Sequence, residues 1–294
     1  MKRFRTILMV LVLTFLFAVP ASAGEWSVIS SRVIDFDPTD NPYAPNNNFN
    51  AIYAAEFSNG TILAPGQRFS FNEIVGARTT ERGFAVGQNS IGAPDIGGGI
   101  CRTATVLFQT ARAAGMDVIE RWDHYPAVKY ARPGDDAAVQ YGLYDMQFSN
   151  VYHVPVMIHT RGDTDESGLH LWAVFLKEEK LPSVKVSVTE EVYMEGKLFN
   201  GKTFVPADRV AQIYGKKINS TEKLGFYTVS IGNIVFSEAN GDILRSTNGF
   251  YVPLRKLTES YGGLIKWATG KSYEAALTLP ATLAVSNQKM QRGE

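Results

Sequence analysis

The stretch Gly97-Gly98-Gly99-Ile100-Cys101 is where this sequence concentrates its chemistry. Three glycines let a backbone turn tightly and let another group approach it closely. Beyond them, Ala104, Leu107, Phe108 and Ala111 recur at the i, i+3, i+4, i+7 spacing of an amphipathic helix over Arg102 to Ala114, with Gly115 as its stop. The spacing predicts Cys101 in the first helical turn, where unpaired N–H groups and the positive end of the helix dipole favour a thiolate over a thiol. Cys101, Ala104 and Phe108 fall on one face, so the sulfur is expected to point into the protein body. A thiolate so placed can carry acyl groups as a covalent nucleophile.

Two partners for it follow in the sequence. His124 closes Arg121-Trp122-Asp123-His124, and Asp145 sits in Tyr144-Asp145-Met146-Gln147-Phe148. Cysteine at a helix start, then histidine, then aspartate on later strands is the chain order of papain-like and transglutaminase-like enzymes, an analogy of roles rather than of sequence. In those roles His124 takes and returns protons and Asp145 orients its ring. The N–H of Cys101 with that of Gly98 or Gly99 supplies an oxyanion hole. A bland reading stands beside this one: Cys101 as a small buried hydrophobe and His124 as a satisfied structural histidine.

The elements that must hold these groups are short. Trp26 to Ile29 reads as a strand, Asp37 to Asn48 as loop, and Phe49 to Phe57 as a helix with Phe49, Ile52, Tyr53 and Phe57 on one face. After the cysteine helix the pattern turns to strands: Val118 to Trp122, Ala127 to Tyr130, Ala137 to Tyr141, Asp145 to Phe148, Val154 to Thr160 and Leu169 to Leu176. Arg161 to Gly168 is expected as a polar hairpin loop, and Lys177 to Ser183 as a linker. Beyond it lies an internal repeat. Phe204-Val205-Pro206 leads to Tyr214-Gly215, and Tyr251-Val252-Pro253 leads to Tyr261-Gly262, each predicting a strand, proline in the first helical turn, a short helix and a glycine cap. Strands over Val184 to Val188, Tyr227 to Val229, Ile234 to Phe236 and Tyr273 to Leu279 complete that module. The expected fold class is α+β: a domain over 24–178 with the cysteine at a helix N-terminus packed on antiparallel strands, then a smaller repeat-built α+β domain over 184–280 and a tail over 281–294.

Composition narrows the function. With 294 residues, 29 Lys plus Arg against 29 Asp plus Glu, 45% hydrophobic residues and one cysteine, the chain shows no basic excess for nucleic acid, no disordered signature and no internal disulfide. Residues 1–23 read as a cleavable secretory leader: Lys2, Arg3 and Arg5, an apolar stretch from Ile7 to Val19, then Ala21-Ser22-Ala23. The apolar stretch is shorter than the ~20 residues that span a bilayer, which disfavours an uncleaved anchor. Without the leader the chain turns net negative, is expected outside the cytoplasm, in the cell wall or secreted, and has no membrane partner. His153, His159 and His170 with Asp163 and Asp165 do not make a convincing metal site, and the EF-hand-like run from Asp163 puts Val174 where a glutamate is needed. No cofactor is expected. Trp122, Tyr125, Tyr130, Tyr141 and Tyr144 either line a glycan or peptide groove or belong to the core.

Residues from about 46 to 160 resemble the VanW-like family of bacterial cell-surface proteins. The resemblance rests on Asn48-Phe49-Asn50, Pro65-Gly66 with Phe69-Ser70-Phe71-Asn72, Val75-Gly76, Gly83-Phe84, the glycine triplet with Ile100-Cys101, His124, Gly134-Asp135-Asp136-Ala137, and Tyr141-Gly142 through Asp145, Phe148 and Asn150. It implies peptidoglycan stem peptides as partner and L,D-transpeptidase chemistry through a Cys101 thioester, in a family linked to glycopeptide resistance. Where the family usually has glutamine, this chain has Arg102, which either meets a stem carboxylate or lies solvated on the helix. A cysteine peptidase or amidase using water, and a non-catalytic peptidoglycan-binding protein, are the alternatives. Residues 184–280 resemble the copper amine oxidase N-terminal-like domain, yet no histidine follows His170 to hold copper. Oligomeric state is not legible.

Overall fold

The computed structural model describes residues 24–38, 41–188, 192–247, 249–267 and 274–279. The predicted leader and tail, and Tyr273 at the predicted start of the last strand, lie outside the described residues. The fold is mixed α+β, as the patterning predicts.

The first part holds β1 (Glu25–Phe36), α1 (Ala44–Ser58), β2 (Thr61–Leu63), β3 (Arg68–Ser70), α2 (Phe71–Val75), β4 (Val86–Gln88) and β5 (Pro94–Ile96). It continues with α3 (Cys101–Ala113), β6 (Asp117–Glu120), β7 (Gln147–Ser149), β8 (Val156–Asp165) and β9 (Gly168–Glu179). The second part holds β10 (Ser183–Ser187), β11 (Tyr193–Phe199), β12 (Lys202–Pro206), α4 (Ala207–Ile213), β13 (Ile218–Lys223), β14 (Phe226–Ile231) and β15 (Ile234–Ser237). It ends with β16 (Leu244–Ser246), β17 (Gly249–Pro253), α5 (Leu254–Ser260), β18 (Leu264–Trp267) and β19 (Glu274–Thr278).

One sheet crosses both parts, in the order β18-β19-β10-β11-β12-β17-β16-β1-β9-β8-β2. β1 lies between them: it pairs along its length with β9, with a bulge between Val28 and Ser30, and only through Glu25 and Trp26 with β16. The β8–β9 hairpin is longer than predicted. Asp165 pairs with Gly168, so the polar segment from Arg161 continues the ladder and only Glu166 and Ser167 form the turn. The buried run Leu171–Leu176 fixes the register, and the ladder propagates past the core into solvent. Ala127 to Tyr130 forms no strand, and the Ala137 to Tyr141 segment carries isolated bridges, Trp122 to Ala138 and Gln140 to Tyr144.

Each part has its own apolar core. In the first, Ala104, Leu107, Phe108 and Ala111 of α3 are buried with Phe69, Phe148, Ile158 and Phe175, and burial of side chains the size of Leu or Phe contributes about 1.5–3 kcal/mol each. In the second, the two repeat units face each other. β12 pairs antiparallel with β17, Phe204 opposite Pro253 and Pro206 opposite Tyr251, and each proline caps its helix from just outside the first turn.

Candidate functional site

Cys101 is the first residue of α3 and is half-buried. The glycines before it are required by close packing. Gly99 has φ +101° and a side chain there would collide with the Asn47 backbone; a Cβ on Gly98 would lie 2.5 Å from the Gln88 nitrogen. α1 supplies the other half of this junction. It begins at Ala44, within the stretch read as loop, because proline in the first turn tolerates that position. Its buried face is Asn47, Asn50, Ala51, Ala54, Ala55 and Ser58, while Phe49 is 48% exposed, so the aromatic face is not the one that packs deepest. Asn50 Nδ2 donates to the carbonyls of Ala85 and Gly98, both at 2.9 Å, and its Oδ1 accepts from the Ala85 N–H at 2.9 Å. Asn47 Oδ1 accepts from the Gln88 N–H at 2.7 Å. Two asparagines three residues apart thus hold the loop that leads into Cys101.

On its other side α3 binds the segment 134–139. Thr105 Oγ1 donates to the Cys101 carbonyl at 2.8 Å and accepts from the Ala137 N–H at 3.0 Å, and Gln109 donates to the Asp135 carbonyl at 2.9 Å. The Val139 N–H donates to Cys101 Sγ at 3.5 Å, and the Val139 carbonyl lies 3.6 Å from the sulfur.

This segment delivers Asp136. His124 Nδ1 lies 2.6 Å from Asp136 Oδ2, and the His124 N–H donates to the same oxygen at 2.8 Å. Both side chains are buried, and Arg121 donates to the Asp136 carbonyl at 2.7 Å. With Nδ1 on the carboxylate, Nε2 is the nitrogen left for the sulfur. Burial depresses the His124 pKa, but the nearby Cys101 sulfur and the bond to Asp136 outweigh burial and raise it above the usual 6.5.

Asp145 does not orient the histidine. Its Oδ2 accepts from Ser70 Oγ at 2.5 Å and Gln147 Nε2 at 3.0 Å, and its Oδ1 accepts from the N–H groups of Asn72 at 2.9 Å and Met146 at 2.8 Å. Ser70 is the N-cap of α2, so Asp145 fastens that helix start to the β7 region. The Gly98 N–H donates to the Asp95 carbonyl at 3.1 Å and is therefore not free for an oxyanion, whereas the N–H groups of Gly99 and Cys101 have no acceptor among the described residues. Arg102 is partly buried rather than solvated and has no carboxylate partner among the described residues: Nη1 donates to Asn48 Oδ1 at 2.7 Å, the guanidinium sits 5.1 Å from the Phe36 ring centre, and burial lowers its pKa.

One residue that sequence reasoning passed over belongs here. Arg78 packs its stem in the space left by Gly97, where a Cβ would lie 2.7 Å from Arg78 Cγ. Its guanidinium is 5.4 Å from the Phe71 ring centre and 5.7 Å from that of Tyr141. Burial pulls its pKa down to about 10, against the opposing charges of Cys101, Asp145 and Tyr141. A lone arginine in an irregular segment leaves no periodic signal, so only the fold could reveal it.

The remaining histidines stand apart. His170 bonds Asp35 and Asp165 at the hairpin end, and His159 lies 2.7 Å from Glu222; no group of three or more ligands for a metal occurs among the described residues. The rings of Trp122 and Tyr144 meet at 5.0 Å, tilted by 50° and both open to solvent, and Tyr125 is 95% exposed. No described helix is long and apolar enough to cross a membrane.

Residues 46–172 match the family described as VanW like protein, which supports a VanW-like domain over that span. Uncharacterized protein YoaR of Bacillus subtilis (strain 168) is 34% identical over 118 residues, covering 38% of this chain. The chain spans 38% of the length of that curated relative. No solved structure matches.

Proposed function

We propose that this protein is an extracytoplasmic cysteine acyltransferase of the cell wall, an L,D-transpeptidase that joins peptidoglycan stem peptides through a Cys101 thioester. The observation that carries the reading is the grouping of Cys101 at the first residue of α3, His124 within electrostatic reach of its sulfur, and Asp136 on His124 Nδ1. The VanW-like match over the same residues supports it.

In the proposed reaction His124 Nε2 takes the thiol proton and the thiolate adds to the carbonyl carbon of a stem-peptide amide. The oxyanion that forms is met by the N–H groups of Gly99 and Cys101. His124 returns the proton to the leaving nitrogen as the C–N bond breaks, leaving a thioester. A side-chain amine of a neighbouring stem then attacks, gives its proton to His124, and releases the thiolate as the C–S bond breaks. Asp136 keeps the ring in the tautomer that makes these transfers possible. Transfer to water would make the same site a peptidase or amidase, the difference lying in the acceptor.

The part after Ser183, read as a copper amine oxidase N-terminal-like module without copper, is proposed to associate with the wall or to position substrate. A non-catalytic peptidoglycan-binding role is the second reading, favoured by the exposed rings of Trp122, Tyr125, Tyr141 and Tyr144. Mass spectrometry of the protein incubated with stem peptides tests the choice. An acyl adduct on Cys101, absent in Cys101→Ala, with cross-linked product, is expected; hydrolysed product alone points to the amidase, and no adduct at all removes the enzyme readings.

A further inference from the structure

Arg78 carries two side-chain donors that no described residue uses. Its Nε and Nη2 are buried without a hydrogen-bond partner, while Nη1 donates to the Gly76 carbonyl at 2.8 Å. Nε and Nη2 form the side-on edge of a guanidinium, whose two parallel N–H bonds match the two oxygens of a carboxylate. A buried cation with an unmet fork is costly, and such a group calls for an explanation.

We propose that Arg78 is the carboxylate-binding residue of the Cys101 site, so that the acyl donor is a peptide that presents a free carboxylate to this edge. This rests on the acyl-transfer reading above. Three observations fix the role. The fork is held in orientation by the Gly76 carbonyl, the Phe71 ring and the missing side chain of Gly97. Arg78 sits between the two segments that flank Cys101, its stem against Gly97, which precedes the cysteine in the glycine run, and its guanidinium 5.7 Å from the ring of Tyr141, just past the Val139 whose N–H meets the sulfur. And it has no ion pair among the described residues: Asp145, whose charge also reaches it, has both oxygens engaged by Ser70, Asn72, Met146 and Gln147. A donor carboxylate beside a thiolate would otherwise be repelled, and Arg78 supplies the compensating charge. Arg102 differs in that its Nη1 is already bonded to Asn48 and its face packs on Phe36, with no buried fork left unmet. The Tyr141 ring lies over the guanidinium and is more than half exposed, so an incoming carboxylate displaces a side chain already open to solvent.

The test compares alkylation of Cys101 by iodoacetate and by iodoacetamide, which share a reacting carbon and differ in charge. The ratio of the two rates cancels any change in thiolate fraction. It is expected to fall about tenfold or more in Arg78→Gln and by less in Arg78→Lys, in line with the strength of charge-assisted hydrogen bonds. An unchanged ratio in a folded Arg78→Gln protein overturns the assignment. Should that variant fail to fold, protection of the unaltered protein decides: a short peptide acid slows iodoacetamide and its C-terminal amide does not, and equal protection by the two overturns it. A ratio that responds to Arg78 with no acyl adduct on Cys101 keeps the carboxylate site and removes acyl transfer. Adducts formed equally from acid and amide, with an unchanged ratio, do the reverse.

Discussion

Asp135 and Asp136 are neighbours with opposite fates. Asp135 faces outward to Arg112 at 2.7 Å, and Asp136 turns inward to His124. Cys101 and His124 were legible as candidates because glycines, a helix start and a lone thiol each leave a local mark. The orienting carboxylate was not, because an irregular segment tied down by Thr105 and Gln109 has no period to read. Asparagine at position 136 should lower turnover on stem peptides by about 10²-fold or more, as loss of a histidine-orienting carboxylate does elsewhere. Asp145→Ala should instead lower stability by roughly 2–4 kcal/mol, seen in urea melts, because it strands several buried donors. His124 also sets a pH dependence. Its folded pKa lies above the unfolded 6.5, so its stabilising contribution is complete below that value and is lost as pH rises through the folded pKa. The stability gap between the parent protein and His124→Gln should therefore shrink from pH 6 toward pH 8.

At the scale of elements, the site depends on two polar residues of a helix that looks aromatic in sequence. Ile52, Tyr53 and Phe57 of the predicted face pack against the core, yet the deepest contact is made beside them: alanines with Asn47 and Asn50 permit a closer approach than Phe49 or Tyr53 would, and the asparagines satisfy loop backbone. An asparagine pair at i, i+3 on an alanine face was the available signal. Asn50→Leu leaves the Ala85 N–H and the Gly98 carbonyl without partners and should cost about 2–4 kcal/mol in chemical denaturation. Gly99→Ala meets both a left-handed backbone and the Asn47 main chain, and should slow Cys101 alkylation as well as destabilise the fold. The strands of β8 and β9 were legible because their apolar runs are continuous; their length was not, because a hairpin outgrows the core that nucleates it.

In the whole molecule the two parts meet across β8 and the β13–β14 hairpin. His159 lies 2.7 Å from Glu222, Tyr227 stacks on its ring at 6.3 Å, and Gly225 sits against Trp172 and Val174, leaving no room for a Cβ. Nothing local in the sequence foretold this seam, since its residues come together only when the sheet closes. Burial lowers the His159 pKa despite the opposing pull of Glu222. That shift has the opposite sign to that of His124: stability is fully present above pH 6.5 and falls as pH drops through that value toward the folded pKa. Thermal melts of His159→Gln should accordingly flatten the loss seen in the parent protein between pH 7 and pH 5. The position of β1 bears on how the chain reaches this state. The first described strand lies inside the finished sheet, and Ser27 reaches its partner Glu179 across 152 positions. Its ladder cannot close until β9 has been made, so loop closure precedes any reward, and refolding should be slow, in milliseconds to seconds rather than microseconds. Until then β1 is an unpaired sticky edge, and a chain interrupted before Gly168 should aggregate rather than wait.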